Sequence, residues 1–442
     1  MRTSHPDRPS RQRGWRRAGT AIAATATLLL AGLGTAVQAD AAQPAATAAT
    51  AAQAKATWTA TPCATPAHPG ELACDSYRVT GGLTAFQKQQ AARTGITPKA
   101  ADASTPSGYG PSNLQSAYGL TSAAAANGAG ETIAIVDAYD DPKAEADLAS
   151  YRSYYGLTAC TTANGCFKKV SQTGSTTSLP TADSGWAEEI SLDLDMASAI
   201  CPKCNILLVE ATSATMANLG TAVNRAVTLG AKYVSNSYGG SESSSDTSYD
   251  TSYFNHPGVA ITVSAGDEGY GAEYPAASRY VTSVGGTALT TSSTTRGWTE
   301  TVWKTSSTEA TGSGCSAYDT KPTWQTDTGC AKRTISDVAA VADPATGVSV
   351  YDSYGVTAGW YTFGGTSASS PIIAGVYALA GTPSTSSYPA SFPYASAGTS
   401  ALNDVTSGNN GSCSSSYLCT AKSGYDGPTG WGTPEGVSAF TG

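Results

Sequence analysis

The chain has 442 residues, enough for one large domain or two ordinary ones, and only 13% of them are charged against 40% hydrophobic. Its formal net charge of −8 argues against nucleic acid as a partner, because binding to phosphates needs Lys and Arg. A chain poor in cations also gains little self-repulsion when its carboxylates are protonated, so the composition is compatible with work in acid.

The first 39 residues have the pattern of an export signal. A basic, arginine-rich start precedes the apolar stretch AIAATATLLLAGLGTAV, and VQA, ending at Ala39, fits a cleavage site. The stretch WRRAGTAI leaves a twin-arginine route open beside the general one. Because the apolar run is short for a membrane anchor, we expect a secreted, extracellular protein that is not bound to a membrane.

Ten cysteines fall into five pairs of close neighbours. In an exported chain this pattern predicts five local disulfides. The pairs are Cys63/Cys74, Cys160/Cys166, Cys201/Cys204, Cys315/Cys330 and Cys413/Cys419. CPKC at 201–204 leaves open a redox motif or half of a zinc site, although no histidine is adjacent.

Two stretches separate the signal from the main domain. Residues 40–60 are Ala/Thr low-complexity sequence, which is typical of a linker. Residues 61–103 hold one cysteine pair and little periodicity. We therefore interpret 40–106 as a linker and short propeptide. The main domain, 107–442, is expected to begin where the composition changes, at SGYGPSNLQSAYGL.

Beyond residue 120, short β-branched apolar runs alternate with segments of helical spacing. The runs are 132–138, 205–211, 233–238 and 258–266, and the helical segments are 142–155, 215–230 and the stretch after Ser367. This alternation predicts an α/β fold, with a mostly parallel central sheet and helices on both faces. Ligands of such sheets bind at the carboxyl ends of the strands, where two acidic loops, 136–142 and 264–269, are expected.

Ser367 has the setting of a nucleophile. It lies in the Gly-rich turn FGGTSASSP, directly before the apolar helical segment PIIAGVYALAG. A serine hydroxyl needs a base to take its proton. The chain has three histidines, His5, His68 and His256, and none lies in the sequence context of a triad base.

The segment SGWAEEISLDLDMASAI, 184–200, offers a carboxylate base instead. On a helix, Glu189 and Asp193 would share one face with Cβ atoms about 6 Å apart. On a strand, which the alternation at 190–196 also allows, they would be about 13 Å apart. Two close carboxylates cannot both ionise easily, and such a pair can accept a serine proton and return it to a leaving amine. The alternative is that both are ordinary solvated helix residues.

Three segments now resemble one family. EISLD at 189–193, VSAGDEG around Asp267 and GGTSASSP around Ser367 resemble the signature segments of the sedolisin family, the serine-carboxyl peptidases. Shorter stretches such as AYGL, PTWQ and GPTGWGTP resemble bacterial members, so the resemblance covers about residues 107–442. It implies a subtilisin-like α/β fold, cleavage of peptide bonds at acid pH, and protein or peptide substrates. We expect a monomer.

The resemblance also implies roles for single residues. Ser367 would be the nucleophile, Glu189 its general base and acid, and Asp193 the support of Glu189. Asp267 would help hold the tetrahedral oxyanion, which requires its protonated form because an ionised carboxylate would repel the oxyanion. Asp137, at the end of TIAIVD, lies where relatives have a carboxylate that extends the Glu–Asp network.

Calcium is the one cofactor that the resemblance implies. Family members bind it near the C-terminus, which here gives Asp404, Val405, Lys422, Gly424 and Asp426. Oxygen ligands of this kind suit calcium. Lys422 replaces a usual glycine, and a turn without metal is the alternative.

The chain departs from the family in its N-terminal part. Relatives usually have a long, separately folded propeptide, whereas only residues 40–106 are available for this zymogen segment. Two other functions stay open. One is a subtilisin-like protease with His256 as base, and the other is a non-catalytic secreted binding domain of the same fold.

Overall fold

The computed structural model describes residues 54–96, 98–99 and 102–442. By their contacts these residues all belong to one compact unit. The proposed signal peptide, 1–39, and the first part of the proposed linker lie outside the described residues and stay predictions. Among the residues described, no helix is long and apolar enough to cross a membrane.

Twenty strands and nine α-helices make up the described part of the chain. The strands are β1 Thr57–Ala60, β2 Ala73–Cys74, β3 Tyr77–Gly81, β4 Thr132–Ala138, β5 Phe167–Ser171, β6 Asn205–Ala211, β7 Tyr233–Asn236, β8 Tyr238–Ser241, β9 Ala260–Ser264, β10 Glu268–Tyr270, β11 Glu273–Tyr274, β12 Thr282–Thr291, β13 Trp298–Val302, β14 Ala310–Cys315, β15 Thr334–Ile335, β16 Val338–Val341, β17 Val348–Asp352, β18 Gly359–Gly364, β19 Leu402–Asn403 and β20 Thr433–Pro434. The helices are α1 Ala85–Thr94, α2 Pro111–Ala117, α3 Thr121–Ala126, α4 Ala144–Tyr154, α5 Ser184–Ile200, α6 Met216–Thr228, α7 Asp246–Tyr249, α8 Thr366–Ala380 and α9 Phe392–Ala395.

An eight-stranded sheet lies at the centre of the fold. Its strands follow the order β13, β12, β9, β7, β4, β6, β5, and β16 also pairs with β12. Every pair is parallel except β12 with β13, which is antiparallel at the edge. The prediction of a mostly parallel sheet is confirmed.

Helices cover both faces of this sheet. In β4, Ile133 and Ile135 pack into one hydrophobic core, and Ala134 and Val136 pack into another. Successive side chains of a strand point to opposite faces, so the two cores lie on opposite sides of the sheet. Residues of α5 and α8 belong to the first core and residues of α6 to the second. The predicted three-layer α/β arrangement is therefore confirmed.

The single elements agree with their predictions to different degrees. The strands predicted at 132–138 and 205–211 coincide with β4 and β6. The continuous strand predicted at 233–238 is wrong, because β7 ends before Ser237 and β8 belongs to a second sheet with β11 and β2. The fourth strand and the helices predicted at 142–155 and 215–230 are present and shorter at their ends, whereas the helix predicted after Ser367 already begins at Thr366.

The segment predicted as a propeptide folds against the rest of the chain. Its strand β3 pairs with both β1 and β18, and β2 pairs with β8. The helix α1 begins at a capping box in which Thr84 and Gln87 bond each other's backbone. No helices or strands were predicted in this segment, because its strands are too short to show a periodic pattern of apolar residues.

All five predicted disulfides are present. Their Cα atoms lie 4.8–6.0 Å apart, within the usual range for the bond. The half zinc site considered at CPKC is wrong, because Cys201 and Cys204 bond each other and no cysteine is free.

Candidate active site

Helix α5 carries two of the predicted site residues through the core. It begins at Asp183, whose carboxylate accepts the backbone N–H groups of Gly185 and Trp186 at 2.9 Å each. The helix is buried on all sides, and Glu189 and Asp193 are fully buried. The strand alternative for this segment is therefore wrong. So is the alternative of two solvated helix residues.

The carboxyl groups of Asp137, Glu189 and Asp193 form one electrostatic cluster. Burial raises the pKa of Glu189 to about 8, with a further increase from Asp137. Burial also raises the pKa of Asp137 to about 8. The pKa of Asp193 lies well above its ordinary range, because of burial and then of Asp137 and Glu189. Three buried carboxyls that repel one another hold protons and share little negative charge.

Ser237 connects this cluster to the predicted nucleophile. Its hydroxyl lies 2.9 and 2.8 Å from the two carboxylate oxygens of Asp193, and 3.3 Å from the carbonyl oxygen of Ser367. Ser237 was not among the residues predicted from the sequence. The signal that could have revealed it is its position at the carboxyl end of a buried strand, where parallel sheets bind ligands.

Ser367 lies in the first turn of α8 and is fully buried. The preceding Gly365 has φ 99°, a conformation that favours glycine. The Ser367 hydroxyl donates to the carbonyl oxygen of Ser237 at 3.3 Å and accepts the backbone N–H of Asp75 at 3.1 Å. It also lowers the pKa of Glu189, so it faces that carboxyl. The sequence motif and the carboxylate helix thus meet.

Asp267 follows β9 and faces the same place. Its Oδ1 accepts the backbone N–H and the hydroxyl of Thr366 at 2.8 and 2.9 Å, whereas its Oδ2 is buried without a partner. Burial, followed by the carboxyls of Asp75 and Glu268, raises the pKa of Asp267 well above its ordinary range. Because Oδ1 already accepts two hydrogen bonds, the retained proton belongs on Oδ2.

The carbonyl oxygen of Asp75 lies beside both Ser367 and Asp267. The backbone N–H of Ser367 donates to the carbonyl oxygen of Asp75 at 3.0 Å. A Cβ atom at Gly365 would lie 2.1 Å from that carbonyl oxygen and 2.6 Å from Asp267 Oδ2. One N–H and one protonated carboxyl therefore flank the same oxygen, which is the arrangement that stabilises an oxyanion. No signal in the sequence pointed to Asp75.

Neither of the two described histidines forms part of this site. His256 Nε2 is 2.8 Å from Asn224 Oδ1, on helix α6, and burial lowers the pKa of His256. His68 is exposed in the N-terminal segment. His5 lies outside the described residues. Neither described histidine hydrogen-bonds to a carboxyl or hydroxyl of the site, so the reading of His256 as the base finds no support.

The proposed calcium ligands come together at the C-terminal end. Asp404 Oδ2 accepts the backbone N–H of Gly424 at 2.9 Å. The buried Asp426 accepts the N–H groups of Lys422 and Thr429, both at 3.0 Å. The buried Val405 follows Asp404. These two carboxylates and the neighbouring carbonyls are an oxygen-rich set of the kind that calcium prefers.

The ammonium of Lys422 does not point into this set. It lies 4.8 Å from the centre of the Tyr417 ring, a cation–π contact. The backbone carbonyl of Lys422 therefore stays available as a calcium ligand, although the residue is not the usual glycine. The positive charge of its side chain is held against the Tyr417 ring. On this observation the residues present fit the ion.

Comparisons with known proteins agree with these motifs. The profile of the subtilase family matches residues 184–391. Sedolisin of Pseudomonas sp. strain 101 is 36% identical over 201 residues, which are 40% of this chain and 33% of that protein. Kumamolisin of Bacillus sp. strain MN-32 is 31% identical over 367 residues, 75% of this chain and 63% of that protein. Xanthomonalisin of Xanthomonas sp. strain T-22 is 37% identical over 187 residues, 37% of this chain and 21% of that protein.

The chain thus spans less than two thirds of each of these curated relatives. Among solved structures, Pseudomonas sedolisin, a serine-carboxyl proteinase complexed with two molecules of pseudo-iodotyrostatin, superposes with a TM-score of 0.62. The two are 28% identical in sequence, and the match covers 75% of this chain and 96% of that one.

Proposed function

The chain belongs to the sedolisin family and has its subtilisin-like fold, and we propose that it is a secreted serine-carboxyl endopeptidase acting on proteins or peptides in acid. The observation that carries this proposal is the meeting of three features at one point. A buried serine hydroxyl faces a cluster of proton-holding carboxyls, and beside it the Ser367 N–H binds a carbonyl oxygen that lies next to Asp267.

In the proposed reaction, Ser367 Oγ attacks the carbonyl carbon of the scissile bond while Glu189 takes its proton. The oxyanion that forms accepts hydrogen bonds from the Ser367 N–H and from protonated Asp267. Glu189 then gives the proton to the leaving amine, and an acyl-enzyme remains on Ser367. Water then attacks the acyl-enzyme while Glu189 takes its proton, and the acid product and Ser367 are released.

The other two carboxyls of the cluster, Asp137 and Asp193, keep its single negative charge on Glu189. Asp137 and Asp193 hold protons because both are buried beside Glu189. A protonated neighbour stabilises an ionised Glu189, whereas an ionised one would repel it. Asp193 is further fixed by Ser237, so this pair orients the base and does not itself take the serine proton.

The high pKa of Glu189 belongs to the closed form of the site. The disulfide of Cys63 and Cys74 lies against this carboxyl, with its sulfur atoms within 4.8 Å of a Glu189 oxygen. Departure of this segment hydrates Glu189 and moves its pKa towards the ordinary value of about 4.3. An open site can then supply an ionised base in acid. Asp267 loses the contribution of Asp75 at the same time, but it stays beside Glu268, which also raises its pKa.

Residues Asp404, Val405, Lys422, Gly424 and Asp426 are proposed to hold one calcium ion. The ion would neutralise the two carboxylates and fix the C-terminal loops, and it takes no part in the reaction. Export, a monomeric state and the absence of nucleic-acid or membrane partners belong to the same proposal. They rest on the arginine-rich apolar start and on the acidic, cation-poor composition.

The test is a pH–rate profile on an unfolded protein substrate, with Ser367→Ala as the control. We expect activity that is confined to acid and absent from the variant. Activity that rises to a plateau above neutrality would contradict the carboxylate mechanism and favour a histidine base. A correctly processed chain that is inactive at every pH would instead support a non-catalytic domain.

A further inference from the structure

A strand of the chain itself lies across the proposed active site. Strand β2 pairs antiparallel with β8, with Ala73 opposite Gly239 and Cys74 opposite Tyr238. A few residues later β3 pairs antiparallel with β18, the strand that leads to Ser367. Addition of an extended strand to an open edge is a common way to bind a peptide. Residues 73–78 therefore lie where a peptide substrate would lie.

One peptide bond of this strand is presented to the nucleophile. The carbonyl oxygen of Asp75 accepts the Ser367 N–H at 3.0 Å and lies beside Asp267. The N–H of Asp75 contacts the Ser367 hydroxyl at 3.1 Å. The carbonyl of the residue before a scissile bond occupies this position. The bond that reaches Ser367 is thus Asp75–Ser76.

The side chain of Asp75 fills a pocket made of acidic and hydroxyl groups. Its Oδ2 accepts the hydroxyl of Ser264 at 2.5 Å. One carboxyl oxygen each of Asp75, Glu268 and Glu273 lies within 4.8 Å of the others. Three ionised carboxylates at this spacing would repel strongly, so the pocket accepts an acidic side chain in its protonated form.

No cation offsets this repulsion among the groups that act on Asp75. Burial raises the pKa of Asp75 first, then Glu268, and Glu189 adds to it, while the Ser264 hydroxyl lowers it. Burial also raises the pKa of Glu273, followed by Asp75 and Glu268. The ionisable groups that face Asp75 are Tyr77, Glu189, Asp267, Glu268 and Glu273.

The same loop holds both sides of the Asp75–Ser76 bond. On one side, Cys74 is bonded to Cys63. On the other, the N–H of Thr61 donates to the Ser76 carbonyl at 3.1 Å, and the hydroxyls of the two residues are 2.7 Å apart. If the bond is cut, these contacts keep the new amine of Ser76 close to the acyl-enzyme, so the segment leaves slowly.

We propose that Ser264, Glu268 and Glu273 form the pocket that selects a protonated acidic side chain before the scissile bond, and that Asp75–Ser76 is the chain's own first substrate. The inference rests on the proposed endopeptidase function. It names the substrate class of that site as peptides with an acidic or amide side chain at the position of Asp75.

The self-cleavage is an ordinary hydrolysis in two halves. It draws on the small fraction of chains in which Glu189 is ionised, because the closed site raises the pKa of Glu189 to about 8, and it is therefore slower than turnover by the opened site. Ser367 Oγ forms an ester with the Asp75 carbonyl carbon, Glu189 passes the serine proton to the Ser76 nitrogen, and the C–N bond breaks. Water then cleaves the ester, which leaves a free carboxyl on Asp75 and restores Ser367. One water molecule is consumed, and a new chain begins at Ser76.

The first experiment follows the N-terminus of the full chain in acid. Wild type and Ser367→Ala are shifted from neutral pH to about pH 4, and fragments are identified by N-terminal sequencing and intact mass. We expect a fragment beginning at Ser76 from wild type and none from the variant. An Asp75–Ser76 bond that stays intact while the same sample digests an unfolded protein would overturn the inference and leave the proposed function standing. A sample inactive in both assays would overturn both.

Variants of Asp75 test the pocket. Asp75→Asn has the same shape and needs no proton, so its processing should extend to higher pH than that of wild type. Asp75→Lys would place a long ammonium side chain in a pocket that a short carboxyl fills, and at about pH 4 we expect processing at least about tenfold slower than in Asp75→Asn. Faster processing of Asp75→Lys would overturn the acidic preference. Asp102→Asn, at a partly exposed carboxylate of the same segment, is the matched control.

Short peptides separate the pocket from the folding of the segment. Peptides that copy residues 71–78, with Ala in place of Cys74 and with Asp, Asn or Lys at the position of Asp75, are given to the processed enzyme. Cleavage after Asp and Asn should exceed cleavage after Lys about tenfold in acid. Glu273→Gln should weaken the dependence of Asp cleavage on pH. Equal rates for all three peptides would contradict a selective pocket.

Discussion

Two groups of carboxylates in this chain differ in what satisfies their oxygen atoms. In the active site, both oxygens of Asp137 and Glu189 and the Oδ2 of Asp267 are buried without a hydrogen-bond partner. At the C-terminal end, Asp426 accepts the N–H of Lys422 and of Thr429 and the hydroxyl of Thr429. In the first group nothing bonds these oxygens and burial favours the protonated form, whereas in the second the donors offset part of the effect of burial, which still raises the pKa of Asp426 to about 7.

The difference teaches where proton chemistry can occur. A buried carboxyl without donors changes its protonation readily when a substrate or a neighbouring charge arrives. A carboxylate held by backbone N–H groups is fixed in place and suits a loop or a cation instead. The buried ion pair of Arg333 with Asp337, at 2.6 Å, is a third case, in which the partner charge is permanent.

Among the tests of this contrast, Glu189→Gln is expected to have the largest effect on activity. The amide has the same shape but cannot take the serine proton, so kcat should fall by about 10³-fold or more. The matched control is Glu188→Gln, the adjacent residue on α5, whose carboxylate pairs with Arg78 at 3.1 Å. Steady-state kinetics on a peptide substrate measures both. Equal losses in the two variants would mean that Glu189 acts only through the structure.

A smaller effect is expected at Asp267. Loss of one oxyanion donor in Asp267→Ala should lower kcat by about 10²–10³-fold. The carboxyl works in its protonated form, and burial raises its pKa, so activity should fall as pH rises through that pKa. Asp267→Asn keeps a neutral donor with no proton to lose, so its alkaline limb should move to higher pH. An unchanged limb would assign the titration to another group.

The smallest effect is expected at the C-terminal carboxylates. Removal of calcium by a chelator should lower Tm by several degrees, because a bound ion stabilises only the folded chain, by about 2.7 kcal/mol at a hundredfold excess over Kd. The shift should be absent in Asp404→Asn, and the active-site pH profile should not change. A Tm that does not respond to chelation and readdition would contradict the calcium site.

Some features could be predicted from local sequence alone. The apolar runs at 132–138 and 205–211 have the length and composition of buried parallel strands, and β4 and β6 coincide with them. The five disulfides join cysteines 3–15 residues apart, so proximity along the chain was a sufficient guide. Glu189 and Asp193 are four residues apart in the sequence. Once the segment is a helix, this spacing places both carboxyls on one face, so their pairing could be predicted.

Only the tertiary structure decided which distant residues complete the site. Asp75 meets Ser367 across 292 positions of sequence, and it directly follows a strand of two residues. So short a strand shows no alternation of apolar and polar residues, and its partner β8 lies far away along the chain. Ser237 was hidden for a related reason, since its role depends on the strand break that aims it at Asp193. Local periodicity determines elements, but the pairing of elements that lie far apart in the chain depends on the packed core.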